Sequence, residues 1–439
     1  MTPAGRLTSK SSSAVNARAG THGPQDRLQL GATRNGPTRD EGGAARVRPV
    51  RPRSLVLLVA LASGVAQAFG RFSYAVLLPA IDRDLLGSYA VAGLLGTVNV
   101  GAYLLGTLMV SALARRAAPA DLMRGGLMGS SAGLLALWQA DSVVALAVGL
   151  GLTGLGGAFI WVPAPGLAGS VVRPSRRGAA IGLSGTGIGV GIVFATALAA
   201  VLQSRGGDGA WRTVYLVEAV LALVVLGLCL LFLRPAAHPA DAIAPRAAAL
   251  RRVPGWMGIV GGYTAYGLAF SVYMSYLVTA LEDDAGFTPG HAAGVYALVG
   301  LSFIGGGVLL GPLSDRWGRG RTLVSGYLLM AAAILLVPLG AEPAASVSAI
   351  AFGLTMSGLP TVIAAHLADV LTPREFAGAF GRCTLAFGVA QLCGPPLGGV
   401  LAERTGSFSV SFVLAASVAL LGAAASVAVL RAPAVGANS

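Results

Sequence analysis

The sequence predicts an all-α membrane protein of twelve transmembrane helices in two pseudo-symmetric six-helix bundles, and three observations predict it. Between Ser54 and Arg431 a run of about twenty apolar residues, long enough to cross a ~30 Å hydrocarbon core, recurs twelve times between charged or Pro/Gly-marked turns. Over 439 residues, 55% are hydrophobic and only 11% charged, too few charges to cover a water-soluble globule of this size. The chain also echoes itself: Gly101-x4-Gly106-x-Leu108 matches Gly306-x4-Gly311-x-Leu313 at an offset of 205 residues, and Pro174-x7-Gly182 matches Pro373-x7-Gly381 at 199. A duplicated six-helix unit explains both.

The segments follow in order from where apolar sequence starts and stops. The first, 54–80, ends at Pro79 and the charged Asp82-Arg83-Asp84; the second, 89–113, stops at Arg115-Arg116; the third is 120–138. The fourth, 142–168, contains Pro163 and Pro165, the fifth is 178–204, and the sixth, 211–233, ends at Arg234-Pro235. In the second half the segments are 254–281, 289–313, 321–340, 344–369, 374–402 and 407–431. Thr372-Pro373-Arg374-Glu375 reads as a capping box with proline at the first helical position, which makes Glu375 structural. The expected organisation is a tail over 1–53, bundles over 54–233 and 254–431, a linker over 234–253 with three prolines and four arginines, and a second tail over 432–439.

Charge orients the bundle. Most loop arginines follow the even-numbered segments, so those loops, and both termini, are expected on the cytoplasmic side of the inner membrane. A net charge of +13 does not call for nucleic acid, since ten of the 31 basic residues lie in the first 53 positions and most others flank membrane segments. Residues 1–53 contain no Phe, Trp or Tyr and read as a disordered tail. The next methionine is Met109, which raises a non-Met start near Val47 or Val50 as an expectation. Ala66-Gln67-Ala68 resembles a cleavage site, but apolar sequence continues to Ile81 and favours a retained span. Cys229, Cys383 and Cys393 lie inside apolar runs without metal-ligand spacing and read as packing residues. With four histidines and no P-loop, nucleophile elbow or HExxH, no enzyme activity, metal or cofactor is expected.

Gly311-Pro312-Leu313-Ser314-Asp315-Arg316-Trp317-Gly318-Arg319-Gly320-Arg321 fits G-x-L-x-D-x-x-G-R-x-R, the loop pattern of the major facilitator superfamily, which the chain resembles from end to end of its apolar region. The first segment, Gly70-Arg71-Phe72-Ser73-Tyr74-Ala75-Val76-Leu77-Leu78-Pro79, resembles a bacterial branch whose first helix reads G-R-F-x-Y-x-x-L-L-P. The resemblance implies alternating access with helices one, four, seven and ten lining a central cavity. It also implies a conformational latch at Asp315, Arg316 and Arg319; in the first half Val110 replaces the aspartate, so the latch is expected on one side only. Organophosphate antiporters of the superfamily likewise place an anion-binding arginine eight residues before the proline of helix one. Their partner arginine on helix seven has no counterpart here, which favours a singly charged anion.

Arg71 is the leading site residue, because a charge inside a spanning helix costs ~2.5–3.5 kcal/mol or more unless it faces protein or water. Ser63, Gln67, Arg71 and Tyr74 share one helix face. Snorkelling, or pairing with Asp82 or Asp84, is the competing reading. Tyr263, Tyr266, Phe270 and Tyr273 form a stripe on segment seven that suits an amphipathic solute or plain helix packing. Trp161 beside Pro163, and Thr361 beside Pro360, mark expected breaks in corresponding helices and complete the substrate-site candidates. Glu218 is the proton-coupling candidate, with lipid-interface exposure or an Arg212 pairing as its bland alternative. His366 and Asp369 could meet Arg382 as an inner gate.

The expectation is therefore a secondary transporter of a small organic solute, an anion such as a carboxylate, acting as a monomer in the lipid bilayer, with proton coupling an open feature. A proton-coupled multidrug or metabolite exporter with an aromatic-lined site is the alternative, since Gly381, Gly394-Pro395 and Gly398-Gly399 in segment eleven partly match an antiporter motif that belongs in helix five. A binding-only sensor is a further one.

Overall fold

The computed structural model describes residues 52–113, 116–170, 172–173, 177–233 and 249–431. The tails, most of the linker, Arg115 and Pro174 fall outside these residues. Twelve helices follow: α1 (Arg53–Leu86), α2 (Tyr89–Leu113), α3 (Pro119–Trp138), α4 (Val143–Ser170), α5 (Arg177–Gly206), α6 (Trp211–Phe232), α7 (Trp256–Asp284), α8 (Pro289–Trp317), α9 (Arg319–Leu339), α10 (Ala344–Val370), α11 (Pro373–Thr405) and α12 (Ser409–Leu430). Eleven are apolar and long enough to cross a membrane among the described residues; α3 falls short because Asp121 and Arg124 sit near its start and Gly and Ser residues dilute the rest. Large apolar side chains lie exposed around the bundle, Leu108, Leu231 and Val308 among them, as a hydrocarbon solvent permits. With an even number of spans, the start of α1 and the end of α12 share one face of the bundle, the termini face.

The two halves repeat their packing. Gly154 of α4 sits against the backbone of Asn99 on α2, and Gly353 of α10 against that of Val299 on α8; Gly106 and Gly306 likewise meet α4 at Leu155 and α10 at Leu354. These pairs register α2 on α8 at 200 residues, not the 205 of the motif match. The helices also start 200 residues apart, at Tyr89 and Pro289, so Gly311 corresponds to Ser111 and the motif match is out of register.

Two helices break. In α1 the helix is interrupted at Phe69 (ψ 141°) and Gly70 (φ 75°). Only glycine takes that φ without strain, and a Cβ there would also stand 2.8 Å from the Thr153 side chain. In α4 the break falls after Trp161, as Pro163 predicts. The expected break in α10 is absent: Ala344–Val370 runs unbroken through Pro360. The reason is local. Pro360 cannot bond the Met356 carbonyl four residues back, and the Tyr266 hydroxyl donates to it instead at 2.7 Å. In the same way Pro396 frees the Leu392 carbonyl, which accepts from Thr97 of the other half at 3.1 Å.

Polar bonds between the halves gather away from the termini face. Arg83, beside Asp208 of its own half at 3.0 Å, reaches Glu282 at 3.3 Å and Asp283 at 3.9 Å. Tyr89 donates to Asp283, and Ser88 to Glu403 at 3.2 Å. Close helix contact adds to this: a Cβ at Gly189 of α5 would lie 2.6 Å from the Gly300 carbonyl of α8. At the termini face the described bonds stay within a half. Arg319 holds Asp315 at 2.6 Å and Asp369 at 2.9 Å, Arg252 holds Glu375, and Arg124 binds Asp121 at 2.8 Å and the Leu233 carbonyl. Arg252 and the Thr372 cap together hold the Glu375 carboxyl below its usual range.

Candidate substrate site

Arg71 begins the continuation of α1 just past the break, near the middle of the span. It borders a cavity of about 30 Å³ lined by Phe72, Tyr74, Asn99, Phe270, Ser271 and Pro395 among others. Its guanidinium lies 5.6 Å from the Phe72 ring and 5.9 Å from the Phe270 ring, an arrangement that favours a cation. Its described protein acceptor is the Gln67 amide, at a long 3.5 Å. No carboxylate among the described residues lies within ion-pairing distance. Asp84 is taken by Arg212 at 2.6 Å and by the Trp211 indole at 3.0 Å, and Asp82 accepts the Ser88 amide at 3.1 Å. Neither competing partner holds Arg71.

Other sequence candidates divide. Gln67 is buried and lies near Tyr103 of α2 besides accepting from Arg71. Tyr74 borders the cavity, but its hydroxyl donates to the Ala92 carbonyl at 2.9 Å. Tyr263 and Tyr266 join Phe270 and Phe387 in a stack of rings, with Tyr263–Phe387 centroids 5.0 Å apart and Tyr266–Phe270 5.6 Å. Tyr273 turns away: it stacks on Phe352 at 3.7 Å and bonds Ser348 at 2.8 Å inside the second bundle. Thr361 bonds its own Ser357 carbonyl at 2.7 Å and faces Gly307 and Gly311 of α8. Trp161 lies eleven residues, roughly 16 Å of helix, from the cavity residue Leu150.

The cavity walls therefore come from α1, α2, α4, α7 and α11, with nothing from α10. Asn99, Ser271, Met274, Ser275 and Pro395 were not anticipated, nor were Tyr103 and Tyr296, which stand within electrostatic reach of Arg71. Their signal was weak in sequence, because a polar residue on a glycine-rich apolar helix reads the same whether it faces a cavity or a neighbour. Asn99, for instance, spends its amide on the Leu150 carbonyl at 2.9 Å and Thr153 at 3.1 Å.

The gate residues also rearrange. Asp369 is the partner of Arg319, at 2.9 Å, and the His366 ring meets the Pro254 carbonyl at 3.1 Å, rather than the two acids and bases converging on Arg382. Asp315 pairs with Arg319; Arg316 is exposed. Glu218 is the largest correction to the bland readings: it is 0% exposed and packs on the α1 break, with Ser73 donating to Oε1, while Arg212 is engaged by Asp84 and the Ala140 carbonyl.

The family model described as "Uncharacterised MFS-type transporter YbfB" matches residues 63–427. The chain belongs to that family of MFS transporters. Monocarboxylate transporter 13 of Bos taurus is 26% identical to this MFS chain over 373 residues, 83% of this chain and 84% of that one. The 3-(3-hydroxy-phenyl)propionate transporter of Escherichia coli K12 is 28% identical over 269 residues, 58% and 59% of the two chains. In fold, the MFS chain is similar to a bacterial homologue of the human lysosomal transporter Spinster solved in an inward-facing, unoccupied conformation, with a TM-score of 0.66 at 16% identity, over 86% of this chain and 95% of that one.

Proposed function

We propose that this MFS transporter is a secondary carrier of small organic monoanions, carboxylates, across the inner membrane by alternating access. The observation that carries it is the Arg71 guanidinium, unpaired by any described carboxylate and set beside a cavity in mid-span. A cation so placed costs several kcal/mol unless an anion or water completes it. A carboxylate meets a guanidinium through two parallel hydrogen bonds, and the Phe72, Phe270 and Phe387 rings beside it suit an apolar body attached to that carboxylate. Two relatives bear names of carboxylate transporters, which supports the same class. With the arginine-rich loops cytoplasmic, the halves bonded at the opposite face correspond to an inward-facing state.

The experiment is uptake into proteoliposomes of labelled lactate, benzoate and 3-phenylpropionate, set against tetraphenylphosphonium and a neutral amide. Saturable uptake of a carboxylate that is lost in Arg71→Gln supports the proposal. Uptake of the cation or amide alone, unchanged in Arg71→Gln, makes the aromatic stack the binding element and returns the exporter reading.

A further inference from the structure

Glu218 is a carboxyl group buried at the middle of the first bundle with no role in the Arg71 site as described. It lies on α6, seven residues from Trp211 at the far-face end of that helix, and is 0% exposed. One oxygen, Oε1, accepts the Ser73 hydroxyl, and the Gly70 backbone lies close enough to the carboxyl to feel its charge. The other oxygen, Oε2, has no hydrogen-bond partner among the described residues. Gly70 and Ser73 bracket Arg71, and Gly70 is the residue at which α1 leaves helical geometry. The carboxyl thus packs on the short segment that carries the guanidinium and holds its Ser73 end.

We infer that Glu218 is the proton-binding site of this transporter, taking up one proton at Oε2 as one monocarboxylate binds at Arg71. The inference rests on the Arg71 reading for the identity of the co-transported ion. Arg71 and Glu218 are together neutral when both are charged. A monocarboxylate adds one negative charge to a low-dielectric region, and one proton on Glu218 restores the balance, so the loaded carrier moves no net charge. Neutralising Glu218 also converts a charge-assisted acceptor of the Ser73 hydroxyl into a weaker neutral one, which loosens the segment just past the α1 break.

Among the described residues no other carboxyl or imidazole is placed to share the proton. On α1 the neighbour is Ser73, and on α6 itself the Tyr215 hydroxyl. α3, packed along α6, carries Asp121 and Arg124 beside the Leu233 and Cys229 carbonyls, roughly three turns of α6 away. α5 has no ionisable residue between Arg177 and Arg205, and at the far face Arg212 and Asp84 are spent on each other.

The test is proton uptake on adding 3-phenylpropionate to the purified full chain in weakly buffered solution with a pH-indicator dye, beside binding of the same probe. Wild type takes up one proton per anion bound; Glu218→Gln binds the probe and takes up none. Proton uptake retained in Glu218→Gln overturns the inference. Should that variant fail to fold, Ser73→Ala keeps the carboxyl but removes its donor, and shifts the pH midpoint of binding while proton stoichiometry stays at one; an unshifted midpoint counts against the site. Should wild type bind no carboxylate, the Arg71 reading falls by itself. Hydrogen exchange then decides for Glu218: after correction for intrinsic rate, the amides from Phe69 to Ser73 exchange about tenfold faster at low pH in wild type and without pH dependence in Glu218→Gln. A flat profile in wild type overturns the inference.

Discussion

Replacing Arg71 has two effects of opposite sign, and the geometry sets both. The guanidinium offers five N–H donors, and its described protein acceptor is Gln67 at 3.5 Å, a contact too long to count for much. A bound carboxylate would use two of the free donors. Charge-assisted bonds of this kind contribute about 1.5 kcal/mol each at the low end, so Arg71→Gln loses about 3 kcal/mol of binding, a weakening of roughly 100-fold. Arg71→Lys keeps the charge but not the planar fork, and is expected to weaken binding roughly 10-fold. In the empty protein the same substitution removes an unpaired charge from the membrane interior, so the melting temperature of unliganded Arg71→Gln should rise above wild type. Thermal unfolding of purified wild type and both variants, across a titration of benzoate and 3-phenylpropionate with benzamide as the neutral control, reads both effects in one experiment. Equal stabilisation of wild type and Arg71→Gln by benzoate would refute the reasoning. A fall in the stability of the empty variant would refute it too, since it would mean that Arg71 is satisfied by the protein.

Three further outcomes follow from particular contacts. Gly70→Ala should lose about 1–2 kcal/mol from the left-handed backbone alone and more from the Thr153 contact, so Gly70→Ala/Thr153→Ala recovers part of the melting temperature and not all. Arg83→Ala removes two pairs across the far face in which Arg83 itself is partly exposed, worth about 0.2–1 kcal/mol each, so the open population at that face should rise roughly 2–30-fold; spin labels at Gln139→Cys and Ala341→Cys in a Cys393→Ser background should show a longer distance component, and an unchanged distribution excludes this latch. Phe270→Ala should weaken carboxylate binding while Tyr273→Phe leaves it unchanged and lowers only stability, because Phe270 borders the cavity and Tyr273 bonds Ser348 inside the second bundle; equal losses of affinity would put the tyrosine back in the site.

The division between what sequence revealed and what it hid follows the range of the forces involved. Span lengths and the placement of Arg71 are consequences of the solvent, since a bilayer demands about twenty apolar residues per crossing and makes one charge conspicuous. Breaks are different. Pro360 looked like one and is not, because Tyr266 of another helix satisfies the Met356 carbonyl it frees. Gly70 looked like one glycine among 63 and is the actual break, because Thr153 of α4 leaves no room for a side chain and the Glu218 carboxyl of α6 packs beside it. In each case the deciding partner is more than 80 residues away in sequence, so no local pattern carries it. Partners 50 and 75 residues away in sequence likewise misplaced Asp369 and Tyr273, whose helix faces were read as if the nearest conspicuous charge or cavity would claim them, when Arg319 and Ser348 do. Membrane interiors amplify this kind of error: every freed backbone group must find a partner, and the hydroxyl or carboxyl that fills the role is withdrawn from the list of groups available to substrate. On that account Tyr74, Tyr266 and Thr361 have hydroxyls already committed to backbone carbonyls, whereas the Arg71 guanidinium and Glu218 Oε2 retain capacity to bind, one for an anion and the other for a proton.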